Sequence, residues 1–234
     1  DVRFSNTTIK NGNIVVEPKT YNGTAIFLMY SKNLTLEHVK VTATGVVSTY
    51  LFGLEGTSNL NLLNGSEIVI NNESLVNIGS IIADNGNGNT VIIKDSKIEI
   101  TNSNARLYLG GTNGNITVEN SDIDLNAVKD GFYLRAGQTL AITGTSTVDI
   151  TLITNDGRYG INLTDVTAKY TKAETATVNA TLFEKKGGKD FNGYTGADGI
   201  WGETWGNAKK NCVIKVLDAN GNVMGTTSLN NIGG

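Results

Sequence analysis

The sequence predicts an all-β fold, a right-handed parallel β-helix of about seven coils with a small C-terminal β appendage. Three observations predict it. A phrase of alternating apolar residues recurs along the chain, a short apolar strand lies between successive copies, and no helical periodicity is visible. Alternation of apolar and polar residues is typical of half-buried strands, and self-similarity at a period of roughly 20 to 50 residues indicates a solenoid.

The clearest copy of the phrase is NITVENSDIDL, residues 115–125. Ile116 and Val118 alternate in a first arm, and Ile123 and Leu125 alternate in a second arm. Asparagine, serine and aspartate between the arms favour a bend, because their side chains hydrogen-bond the nearby backbone. The first apolar residues of the successive copies are Val2, Leu34, Leu60, Val91, Ile116, Leu140 and Ile161.

Between the copies lies an additional strand that commonly ends near a glycine, as in STYLFG from Ser48 and GFYLRAG from Gly131. Each coil is therefore expected to hold three short strands, each stacked on its counterpart one coil away at about 4.8 Å. The equivalent apolar residues of the arms are then expected to be buried in columns. They are Leu60, Leu62, Ile68, Val91, Ile93, Ile98, Ile116, Val118, Ile123, Leu140, Ile142 and Val148.

We assign residues 1–170 to the parallel β-helix and residues 171–234 to a C-terminal β unit. This unit contains a strand, a glycine-rich loop with Trp201 and Trp205, and a hairpin that turns at residues 218–221. It is either a truncated sandwich or a cap over the end of the solenoid, whose unpaired edge groups must be covered. The two tryptophans are accordingly either a glycan platform or the apolar plug of that cap.

Composition excludes several classes of protein. The net charge of −3 provides no basic surface for nucleic acid. The longest uninterrupted apolar run, Ala25–Tyr30, is too short to span a bilayer. Cys212 is the only cysteine, so no internal disulfide can form. We expect no nucleic-acid partner, no membrane insertion within this sequence and a monomeric protein.

The sequence contains no catalytic constellation that we can identify. His38 is the only histidine and has no nucleophile beside it, whereas a zinc site needs several His or Cys ligands. Arg106, Arg135 and Arg158 lie near the additional strands without the paired carboxylates that acid–base chemistry requires. Four aspartates of the repeats lie in or beside bends, where aspartate is a favoured turn residue: Asp95, Asp122, Asp124 and Asp165. We therefore predict no catalytic residue, no metal and no cofactor.

Tyrosines form the most distinctive pattern. Alignment of the additional strands on their final apolar residue places four tyrosines at one position, immediately before an aliphatic column. If that column faces the core, the tyrosines form an outward ladder, which is either cross-strand packing or a surface for sugar rings. The candidate carbohydrate-binding residues are Tyr50, Tyr108, Tyr133 and Tyr159.

The repeats of residues 1–170 resemble the right-handed parallel β-helices of the pectate-lyase-like group. The segment GADGIWGETWGNAKKNCVIKVLDANGNVMGTTSLNNIGG resembles a module of large, repetitive surface proteins of gut Gram-positive bacteria. These resemblances imply an adhesin-like protein on the cell surface, with host or plant glycans or mucin-like glycoproteins as partners. The Asn-Thr-Asp and Gly-His-Gly phrases of polygalacturonases are missing from the sequence.

We therefore expect a non-catalytic, extracellular adhesin-like or carbohydrate-binding module. Two alternatives stay open. One is a polysaccharide lyase or hydrolase, which a cluster of acidic or basic groups in one groove would favour. The other is a structural spacer within a long surface stalk.

Overall fold

The computed structural model describes residues 2–16, 27–43, 50–54, 56–76, 80–84, 86–103, 107–108, 111–128, 131–152, 160–163, 165, 167–182, 200–201, 213–217 and 223–228. Within these ranges every regular element is a β-strand, as the alternating pattern predicts. The described residues contain no helix that is long and apolar enough to cross a membrane.

The chain begins with two long strands, β1 (Val2–Val16) and β2 (Phe27–Ala43). The short strands that follow are β3 (Tyr50–Leu54), β4 (Asn59–Leu63), β5 (Glu67–Val76), β6 (Ser80–Asp84), β7 (Thr90–Lys94), β8 (Lys97–Ser103), β9 (Leu107–Tyr108), β10 (Asn115–Glu119), β11 (Asp122–Val128), β12 (Phe132–Tyr133), β13 (Thr139–Thr143), β14 (Thr147–Leu152), β15 (Ile161–Asn162), β16 (Lys169–Lys172), β17 (Thr177–Leu182), β18 (Ile200–Trp201), β19 (Val213–Leu217) and β20 (Val223–Ser228).

Strands one coil apart pair in parallel. The first arms stack through β1, β2, β4, β7, β10, β13 and β16, and the second arms stack through β1, β2, β5, β8, β11, β14 and β17. The additional strands stack through β2, β3, β6, β9, β12, β15 and β18. The described residues therefore form a parallel β-solenoid, which confirms the predicted fold class. The hand of the coil stays a prediction.

Regular coils are fewer than the sequence predicts. About four turns consist of three separate strands that follow one another closely, namely β4–β6, β7–β9, β10–β12 and β13–β15. The first two copies of the phrase instead lie in the continuous strands β1 and β2, which run through both arms without a break. The number of regular turns is about four, against the seven predicted. Val2 pairs with Met29 and Ile161 pairs with Phe132, so the first and last predicted copies begin in the column of the additional strands and not in a first arm.

The core consists of inward columns of aliphatic side chains. Ile116 pairs with Val91 on one side and with Leu140 on the other, and Val118 likewise lies between Ile93 and Ile142. All twelve residues predicted to be buried are at most 1% exposed. Full burial contributes roughly 1.5 to 3 kcal/mol for each Val, Leu or Ile side chain, so these columns are a main source of stability.

The bend between the two arms needs one residue with a left-handed backbone. Its φ angle lies between 47° and 64° in successive coils. Asparagine, aspartate and glycine tolerate this conformation better than other residues, which explains why they recur at the bend. The residues in this conformation are Asn11, His38, Asn64, Asp95, Asn120 and Gly144.

A ladder of buried serines accompanies the bend. The backbone N–H of Ser96 donates to Oγ of Ser121 (3.0 Å), and the N–H of Ser121 donates to Oγ of Ser146 (3.1 Å). At the start of this ladder, Oγ of Ser66 accepts from the N–H of Val39 (3.2 Å). Each serine thus satisfies a backbone donor of the preceding coil that the bend leaves without a strand partner.

Glycine is required where the turns between the additional strand and the next first arm touch. A Cβ atom at Gly86 would lie 2.3 Å from the carbonyl oxygen of Gly56, and one at Gly111 would lie 1.8 Å from the carbonyl oxygen of Gly86. These distances are far below van der Waals contact with backbone atoms. The stacking distance of the coils therefore selects glycine at both positions.

Parallel pairing continues beyond residue 170, where the repeat phrase stops being visible in the sequence. Strand β17 pairs with β14 from Thr177 to Leu182, and β18 pairs with β15 through Ile200 and Trp201. The predicted hairpin is confirmed as the antiparallel pair β19–β20. The division of the chain into residues 1–170 and 171–234 stays a prediction, but the stacked strands themselves extend past that boundary.

The last first arm differs from the others in its core positions. Lys172 pairs with Ile142 and so stands in a column of aliphatic residues. Its ammonium group donates to the carbonyl oxygens of Ala176 (3.1 Å) and Ala173 (3.4 Å). A charged residue in a core column is a known obstacle to further strand pairing. Lys172 therefore opposes the addition of another layer on β16.

We predict that replacing Val118 with Asp unfolds the solenoid. Val118 is 0% exposed, and an unpaired carboxylate at this site costs several kcal/mol. Circular dichroism should show loss of the β signal at room temperature. Thr117→Asp provides the control, because Thr117 belongs to the other face of the same strand and is only half-buried. Equal stability of the two variants would contradict the assigned core.

We predict that Ser121→Ala lowers the free energy of unfolding by about 1 to 3 kcal/mol, because the buried N–H of Ser96 loses its acceptor. Urea unfolding followed by circular dichroism measures this change. Thr145→Ala, at an exposed position in the neighbouring coil, is the matched control and should change stability little. A harmless Ser121→Ala variant would mean that the ladder contributes nothing to stability.

Candidate functional site

The additional strands bring two of the candidate tyrosines together. Tyr108 in β9 pairs with Tyr133 in β12, and their neighbours Leu107 and Phe132 pair beside them. Leu107 and Phe132 are both fully buried, whereas the side chain of Tyr133 is partly exposed. The core thus takes the residue before each tyrosine, and Tyr133 faces away from it, as residues alternate along a strand.

The structure corrects the four-residue tyrosine ladder. Tyr50 pairs with Ser80, and the residue that shares a column with Leu107 is Phe52, through Ile82. Tyr50 therefore lies in a different column from the tyrosine pair. The sequence alignment counted the leucine after each tyrosine as the core residue. The error arose because Leu51, Phe52 and Leu54 are all buried, so apolar character does not identify the register of this strand.

Beyond Tyr133, the column that contains the tyrosine pair continues into two further layers, and neither layer carries a tyrosine at this position. Tyr133 pairs with Asn162, and Asn162 pairs with Trp201. Tyr159, which was predicted at the position of Asn162, lies outside the described residues, as does Trp205. Asn162 is 5% exposed, so the column passes through a buried polar residue before it reaches Trp201. A ladder of four tyrosines is therefore reduced to the pair Tyr108–Tyr133.

A second outward column carries carboxylates. Glu99 in β8 pairs with Asp124 in β11, and Asp124 pairs with Asp149 in β14. Strand β11 begins at Asp122, which corrects the assignment of Asp122 to the bend, and Asp124 lies two residues further along the same strand. The sequence already indicates this column, because the segments KIEI, DIDL and TVDI place an acidic residue at the same point of three successive second arms.

The environment of these carboxylates is uneven. Glu99 forms an ion pair with Lys97 on its own strand (2.9 Å), and Oδ1 of Asp149 accepts a hydrogen bond from Asn179 (2.8 Å). The side chain of Asp124 is exposed, but its partial desolvation raises its pKa, and the negative charges of Asp149 and Glu99 raise it further, against the opposing effect of Lys97. The surroundings of Asp124 thus disfavour its ionised form.

Two other predicted bend aspartates are confirmed in that role. Asp95 has a φ angle of 49° at the bend between β7 and β8. Oδ1 of Asp165 accepts hydrogen bonds from the backbone N–H (3.1 Å) and the hydroxyl (2.9 Å) of Thr167, a local turn interaction.

His38 also occupies a bend position and is exposed. Of the three arginines considered above, Arg135 is exposed and Arg106 and Arg158 lie outside the described residues.

Ion pairs between coils occupy another outward column. Lys10 and Glu37 (2.7 Å), and Lys94 and Glu119 (2.8 Å), are register partners in adjacent coils. The hydrogen bond from Lys10 is the main cause that lowers the pKa of Glu37. The hydrogen bond to Glu119 raises the pKa of Lys94. These exposed pairs stabilise the register weakly, since surface salt bridges contribute little.

Among the described residues, no group of three or more His, Cys, Asp or Glu side chains is arranged so as to hold a metal ion. This includes the carboxylate column, whose members follow the strand spacing along the solenoid. Comparison of the chain with protein-family models, with curated proteins and with solved structures finds no match. The chemistry of the two outward columns therefore has to be argued from this chain alone.

Proposed function

We propose that the chain is a non-catalytic, surface-displayed binding module that recognises glycans through the tyrosine pair Tyr108–Tyr133. The single observation that carries this proposal is the register of β9 and β12, which sets two tyrosines side by side on successive coils. Aromatic side chains are large amphipathic groups that stack on flat apolar surfaces, and a sugar ring offers such a face. Two aromatic side chains one coil apart fit an extended chain better than a compact ligand.

The number of aromatic rings sets the affinity that we expect for a single molecule. By analogy with aromatic pairs, each ring is expected to contribute about 1 kcal/mol. Two rings alone give weak binding for a single molecule. Display of many copies on a bacterial surface would raise the apparent affinity through effective concentration, without new contacts. Host or plant glycans and mucin-like glycoproteins, which the resemblance to adhesin-like surface proteins suggests, carry the repeated units that such display requires.

The decisive experiment compares glycan binding by matched variants on multivalent beads. We predict that Tyr108→Ala combined with Tyr133→Ala weakens binding of a glycan-array or mucin ligand by roughly 30-fold, which corresponds to about 1 kcal/mol for each ring. The variant with Phe at both positions should keep most of the affinity, because its rings still stack. Thermal unfolding of each variant establishes that the fold is intact.

Tyr50→Ala is the control, because the register places Tyr50 in another column. Its affinity should match that of the parent protein. Equal binding by the parent and the double alanine variant would remove the tyrosine pair from the interaction. Failure of the parent beads to bind any glycan or mucin would contradict the proposed function and leave the structural spacer as the explanation.

A second candidate function, a polysaccharide hydrolase or lyase, is favoured by the carboxylate column. Glycosidases use two carboxyl groups on opposite sides of the sugar bond, and Asp124 and Asp149 are neighbouring carboxyl groups on adjacent coils. However, the described charges of this column form a single line on one face of the sheet. They do not surround a site in which a sugar could be held. We therefore assign the column no catalytic role.

We predict that incubation with pectin, alginate or glycosaminoglycans releases neither reducing nor unsaturated ends above background. A reducing-sugar assay and absorbance of unsaturated products measure this directly. Release that disappears in an Asp124→Asn variant, with the fold retained, would overturn the non-catalytic assignment.

A further inference from the structure

Three carboxylates occupy one outward column on three successive coils. The Cα positions of Glu99, Asp124 and Asp149 are register partners in β8, β11 and β14. Strands in a sheet lie about 4.8 Å apart, so adjacent side chains of a column are direct neighbours. Like charges directly opposite each other destabilise a sheet. In contrast, the column that contains Lys10 and Lys94 places an opposite charge beside each lysine, Glu37 and Glu119.

Asp124, in the middle of the column, faces charged groups from each strand packed against it. Glu99 and Lys97 face it from β8, Asp149 faces it from β14, and Asp122 precedes it on β11. The outer two carboxylates have partners, because Lys97 pairs with Glu99 and Asn179 donates to Asp149. In the part of the chain that the structure describes, Asp124 makes neither a hydrogen bond nor an ion pair.

A proton on Asp124 would change its interactions with both neighbours. A protonated carboxyl group has an O–H donor, whereas a carboxylate only accepts hydrogen bonds. Neutral Asp124 is able to donate to a carboxylate oxygen of Asp149 or Glu99 across the strand pair. The proton comes from solvent, and no other group is consumed. One protonation therefore replaces two repulsive contacts with a hydrogen bond between coils.

We propose that Asp124 is a proton-binding site that makes the solenoid more stable in mild acid than at neutral pH. When protonated, Asp124 links the second arms of adjacent coils. When Asp124 is ionised, three carboxylates stand in line on β8, β11 and β14. This property of the fold is independent of the proposed glycan binding, since it rests on another outward column.

The direction of the effect follows from linkage. Partial desolvation, followed by the charges of Asp149 and Glu99, raises the pKa of Asp124 in the folded protein. The folded state then binds the proton more tightly than the unfolded chain, whose aspartates have a pKa of about 3.9. The stability that this proton provides is fully present below the unfolded pKa. It is lost as the pH rises through the raised folded pKa, and it is constant above that value.

The experiment measures the melting temperature of the whole chain by circular dichroism in steps from about pH 4 to about pH 8. For the parent protein we expect the melting temperature to fall as the pH rises. Asp124→Asn removes the charge and keeps a similar shape. At neutral pH this variant should melt roughly 2 to 4 °C above the parent protein. Such a shift is expected in a chain of this size when the free energy of unfolding changes by an amount similar to that of one like-charge contact. The gain should shrink in acid.

Asp122→Asn is the matched control, because Asp122 lies two residues earlier on the same strand and pairs with Lys97 instead of a carboxylate. This variant should keep the pH dependence of the parent. The proposal is overturned if Asp124→Asn leaves the difference between acid and neutral stability unchanged. It is also overturned if Asp122→Asn abolishes that difference equally well.

A carbon-13 NMR titration of the Asp124 carboxyl group in the parent protein tests the same proposal without any variant. A midpoint above the usual range of an exposed aspartate supports it. A midpoint within or below that range contradicts it, even if the variants fail to fold. The glycan-binding assay is not involved, so failure of this proposal is distinguishable from failure of the proposed function.

Discussion

The structure depends on one constraint, the parallel register between successive coils. In the described part of the solenoid, strands pair with their counterparts one coil away, so a coil gains its stability from its neighbours and not from itself. Register also decides which side chains enter the core, because a shift by one residue turns every inward side chain outward. The columns through Ile116 and Val118 hold this register by their burial.

The bends have to obey the same register, and this limits their sequence. The bends from Asn11 to Gly144 each have a left-handed residue such as Asn120, and the bends from Ser66 to Ser146 also place a buried serine hydroxyl, such as that of Ser121, at the start of the second arm. The serine ladder carries hydrogen bonding between coils through the corner, where strand pairing is interrupted. The coils therefore stay stacked at this corner, where an ordinary loop would separate the layers.

Outward columns are an unavoidable result of stacking, and they have chemical consequences. Opposite charges in one column, as in Lys94 and Glu119, add weak attraction, whereas Glu99, Asp124 and Asp149 place like charges in line. Tyr108 and Tyr133 bring two aromatic residues together by the same geometry. A solenoid thus repeats the same surface chemistry along its axis, and such a surface suits recognition of an extended polymer. A change of one residue per coil is enough to vary the chemistry of a column.

The sequence by itself determined the fold class and the core of the arms. Period-two alternation identifies Leu60, Ile93 and Val118 as inward, because one face of these strands is apolar and the other is polar. The additional strands lack this contrast, since Leu51, Phe52 and Leu54 are all buried, and the sequence alone misplaced Tyr50. Only the tertiary structure decided their register, and with it the pair Tyr108–Tyr133. It also decided that Asp124 lies between two other carboxylates. The acids of KIEI, DIDL and TVDI recur in the sequence, but only the stacking of coils brings residues about 25 positions apart into contact.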